Sequence, residues 1–160
     1  MRLTRATVAA EHERVRGDDR VVALVNETRD RLGEAFGVEV GHVTPEQYRA
    51  EVDAVFADGD TAVNVAALCG LLRTLDVEGD YPGFVVDELL GRELAGTIAA
   101  SKGRAYALIA EATFHYADIH THGANAENAG VDDLTAALAA GFQTRLPGWP
   151  WTETESPFGV

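Results

Sequence analysis

The sequence predicts an all-α fold: six or seven helices in a bundle or orthogonal array, followed by an irregular C-terminal tail. Three observations carry that expectation. Apolar residues recur at spacings of three and four through most of the chain. Capping and stop signals separate the runs, as at Gly17-Asp18-Asp19, Thr44-Pro45 and Asp58-Gly59-Asp60. Nothing resembles the strand–helix alternation of a βαβ unit or a repeat of fixed period. At 160 residues the chain is sized for one core, with a helical domain over 1–146 and an extended tail over 147–160.

The elements follow in order. A first helix runs from about Thr4 to Arg16 and stops at Gly17. Asp18 and Asp19 cap a second, in which Val21, Val25, Thr28, Leu32 and Ala35 share a face until Gly37. Val38 to Val43 alternates, as an extended connector or a small strand would. Thr44-Pro45-Glu46-Gln47 combines a cap, a first-turn proline and a capping-box glutamine. Tyr48, Val52, Val55 and Phe56 then form an inward face. The next helix, to about Leu75, is apolar nearly all round and is expected at the centre of the core. After the turn at 78–83, Val85, Val86, Leu89, Leu90, Leu94, Thr97 and Ile98 mark a further helix, notched by Gly91 and Gly96. Ser101-Lys102-Gly103 bends or breaks the chain before a helix reaching about His122. A loop over 123–130 precedes the last helix, Val131 to about Thr144, with Asp132 and Asp133 at its positive pole.

A hydrophobic fraction of 46% with 24% charged residues excludes a disordered chain. The net charge of -13 disfavours direct binding to phosphate backbones. Lys102 is the sole lysine. That bias fits either a GC-rich genome or a salt-filled cytoplasm. No run is long enough to cross a bilayer and no secretory leader precedes the first helix, so a cytoplasmic protein is expected. The single cysteine, Cys69, lies in an apolar run and should behave as a small buried hydrophobe.

One stretch has the residue types for chemistry. At about 100° per residue, Glu111, His115, Asp118 and His122 form one stripe. The adjoining face, Ala105, Leu108, Ile109, Ala112, Tyr116 and Ile119, is expected to be the one turned to the core. Carboxylates and imidazoles at a core edge are the ligands of zinc, manganese or iron in helical bundles. The stripe, roughly 16 Å long, could give a single ion only one adjacent pair, with Glu11, His12, Glu13, Asp87, Glu88 or Glu93 supplying the rest. The bland alternative is helix-end histidines complementing the dipole and acid-to-base pairs four residues apart. No cofactor is required on that account. The run Asp118-Ile119-His120-Thr121-His122-Gly123 resembles the Asp-x-His-x-His signature of metal-dependent amidohydrolases. There the signature ends the first strand of a barrel; here it follows a helical pattern, so the likeness implies no barrel fold and no residue roles.

The tail carries Trp149 and Trp151 in a proline-stiffened segment, with Phe158 beyond. Such aromatic tails dock into grooves, on their own domain or on a neighbour. Two readings of function stand open. The first is a non-catalytic structural or interaction subunit of a homo-oligomer or larger assembly, a viral particle and hence a virion location included. It would contact itself or another protein subunit through Trp149, Trp151 and Phe158. The second is a metal-binding protein or metal-dependent hydrolase built on Glu111, His115, Asp118 and His122.

Overall fold

Every residue from Asp133 to Thr144 is buried, and the other helices are arranged around the one that carries them. The structure is a computed structural model, and it describes residues 1–75, 86–121 and 129–153. Its helices are α1 (Arg5–Arg16), α2 (Asp19–Phe36), α3 (Pro45–Ala57), α4 (Gly59–Thr74), α5 (Val86–Ala99), α6 (Arg104–Asp118), α7 (Ala129–Gln143) and a short α8 (Pro150–Glu153). A 3-10 turn, Ala100–Lys102, joins α5 to α6. No strand occurs among the described residues. The all-α bundle expected from periodicity is what the chain forms.

The expected centre is corrected. α4 exposes Val63 and Leu71, whereas α7 is enclosed by α5, α6, α2 and α4. The reason is side-chain size. α7 reads Ala-Ala-Leu-Ala-Ala-Gly over 136–141, and small residues on all sides let several neighbours approach its axis at once. A Cβ built on Gly141 would stand 2.9 Å from Ile98 Cβ of α5.

The start signals work as written. Thr44 Oγ1 accepts from Gln47 N at 3.2 Å, and Gln47 Oε1 accepts from Thr44 N at 2.9 Å. Gly37, in the left-handed region at φ 64°, closes α2. The connector before α3 is no strand. The Asn26 amide pairs with both backbone groups of Val43, donating to its carbonyl at 3.1 Å and accepting its N–H at 2.8 Å. The tail also departs from expectation, since Pro150–Glu153 is helical.

Tyr48 joins α3 to the rest of the core. Its hydroxyl donates to Val15 O at 2.8 Å, and its ring meets Phe142 edge-on at 5.3 Å. Glu11, buried in α1, accepts from Arg14 at 2.7 Å and from Arg73 of α4 at 3.1 Å.

Candidate functional site

α5 and α6 lie antiparallel. Glu88 approaches His115, Gly91 faces Phe114 and Gly96 faces Glu111, so rising numbers on one helix meet falling numbers on the other. The Phe114 ring occupies the notch at Gly91, where a Cβ would stand 2.6 Å from Cε2. The Glu111 carboxylate lies over Gly96 in the same way, with Oε1 2.5 Å from a built Cβ. The glycine notches therefore accept side chains of α6.

That fit decides which side of α6 turns inward, and it is the opposite of the expected one. The buried residues are Ala110, Phe114, Ala117 and Asp118. Leu108 is 52%, Ile109 38% and Ile119 50% exposed. Ala105 and Ala112 are exposed as well, and only Tyr116 of the expected inward set is half-buried. At about 100° per residue the buried and the exposed apolar sets are centred roughly 180° apart. α6 thus has two apolar faces, one packed and one open.

The predicted stripe is divided among different surroundings. Glu111 fills the Gly96 notch. His115 is 65% exposed, with Nδ1 3.8 Å from Glu88 Oε1. Asp118 is buried at the far end of α6. His122 lies outside the described residues. Of the donors considered, Glu88 approaches His115 of the stripe, whereas Glu11 is held by arginines and His12 bonds Asp53 at 2.7 Å. Among the described residues no group of three His, Cys, Asp or Glu is arranged to hold a metal ion.

Instead, three carboxyl groups are buried together. Asp87 opens α5, Asp118 ends α6 and Asp133 lies near the start of α7. Burial above all, then a hydrogen bond with Asp87 and the charges of Asp118 and Asp87, pushes Asp133 up to about 9. It is a neutral acid at physiological pH, able to donate a proton to a neighbouring carboxylate. Sequence reasoning placed Asp133 at a helix pole but did not bring it to Asp87 and Asp118. No local spacing connects three helix ends.

The opposite end of α7 centres on Arg29, also missed. Arg29 Nε donates to Gln143 Oε1 at 2.6 Å. Nη1 donates to Gly41 O at 2.6 Å and Pro147 O at 2.5 Å, and Nη2 to Gln143 O at 3.1 Å and Leu146 O at 3.3 Å. Its guanidinium lies over the Trp149 ring, 5.4 Å from the centroid. Trp149 is therefore packed inside its own chain, with its indole N–H on Gln143 O at 3.0 Å. Gly148, at φ 106°, is required here, because a Cβ would stand 2.8 Å from Arg29 Nη1 and 2.9 Å from Gly41 O. Trp151 stays 47% exposed beside Tyr106, and Phe158 lies outside the described residues. The signal in the sequence was Arg29 four residues after Val25, a charge on an apolar stripe.

Two further features are structural in character. Burial pushes the Cys69 thiol up to about 12, away from nucleophilic use. A groove of about 570 Å³ between α1 and α4 is lined by Leu3, Val8, His12, Phe56 and Val63. At its edge, hydrogen bonds from His12 and Arg16 outweigh a desolvation penalty and hold the Asp53 carboxyl below its ordinary value. No single helix among the described residues is long and apolar enough to cross a membrane.

The fold and these surfaces define an all-α domain in which one helix, α6, leaves an apolar face exposed. The chain belongs to DUF7984, a domain family of unknown function, which it matches over residues 1–160. No curated protein and no solved structure matches it.

Proposed function

We propose that this protein is a non-catalytic helical interaction subunit that docks through the outer face of α6. The observation that carries this is the second apolar face of that helix. Leu108, Ile109 and Ile119 stand in solvent opposite a fully packed side. Isolated exposed apolar residues are ordinary, but a contiguous stripe along one helix is what protein interfaces leave on a free subunit. The stripe is also free of acid. From Arg104 to Ile119 the exposed positions hold no carboxylate, in a chain with 26 of them. Repulsion between acidic proteins is weakest there.

Other features support a contact role. The best-defined polar centres, around Arg29 and around Asp133, are buried between helices and hold the domain together. The test is a photo-crosslinking side chain placed at Leu108 and, as a control, at Arg31 on the exposed side of α2, in cells that make the protein. A discrete protein adduct at 108 and none at 31 is expected. No adduct at 108 defeats the reading.

A further inference from the structure

We draw no further inference here: the strongest candidate, the apolar groove of about 570 Å³ between α1 and α4 with Arg5 and His12 on its lining, carries nothing, because His12 is already bonded to Asp53 and nothing in the structure shows what covers the groove.

Discussion

The two ends of α7 bury charge in opposite ways. At its C-terminal end one cation, Arg29, is enclosed by carbonyl oxygens and the Gln143 amide, five hydrogen bonds in all. Desolvation lowers that guanidinium to about 10, still far above neutral pH. The negative pole of α7 and the carbonyls of the tail replace the lost water. At the N-terminal end three carboxyls share one buried region, and the helix pole cannot keep all of them ionised. A pole contributes about 0.3–1 kcal/mol, whereas desolvating an unpaired carboxylate costs several. Asp133 therefore holds a proton. A buried charge persists where each of its donors finds an acceptor, and is lost where like charges meet.

The largest effect should come from breaking the cationic end. Arg29→Met keeps the volume of the side chain but strands the carbonyls of Gly41, Leu146 and Pro147 together with Gln143 Oε1, while Gln143 O keeps the Trp149 indole N–H. Each buried acceptor left without a donor costs about 1–3 kcal/mol. Thermal unfolding should then fall by about 10 °C or more. Arg29→Lys keeps the charge but has three donors for five bonds, and its loss should be smaller. A melting temperature within about 2 °C of wild type for Arg29→Met would show that these contacts do not hold the tail.

The acidic end should respond in the other direction. Asp133 titrates near 9 in the fold and near 3.8 when unfolded. Between those values the folded chain holds a proton that the unfolded chain has released. Its contribution is fully present below about pH 4 and is lost as pH rises towards 9. Asp133→Asn removes the titration and keeps an amide N–H for the neighbouring carboxylate. The variant should match wild type near pH 4 and exceed it by a margin that grows steadily as pH rises to 8. Urea unfolding of both proteins across that range reads the difference directly. A gap that shrinks with rising pH would place the proton elsewhere.

How much of this was legible depended on how local each cause is. The capping box at Thr44, the stop at Gly37 and the inward Tyr48, Val52 and Val55 are written within a few residues, and each stands as the sequence predicts. The orientation of α6 was not legible, and that of α5 only in part, since Leu94 and Ile98 are buried as expected while Val86 and Leu89 are exposed. Periodicity ranks faces by bulk, which favours Val86 and Leu89 on one helix and Leu108 and Ile119 on the other. The fold buries Gly91, Ala95 and Gly96 against Ala110, Phe114 and Ala117, because small residues let two backbones approach and a ring fill the gap. When a helix is apolar on two sides, its own sequence cannot say which side has a partner within the chain. The same ambiguity concealed the acid cluster, since turning α6 inward through Phe114 also buries Asp118.

The smallest expected effect separates the hydrogen bond from the ring at the cationic end. Trp149→Phe removes the N–H that donates to Gln143 O but keeps an aromatic face under the guanidinium. That carbonyl retains Arg29 Nη2 at 3.1 Å, so it is not left bare. The cost should be about 0.5–1.5 kcal/mol, well below that of Arg29→Met. Fluorescence gives a second reading. Trp149 is buried and Trp151 is 47% exposed, so the substitution should remove the blue part of the emission and leave a red-shifted band. A larger loss than Arg29→Met would mean that the indole, and not the guanidinium, ties the tail to α7.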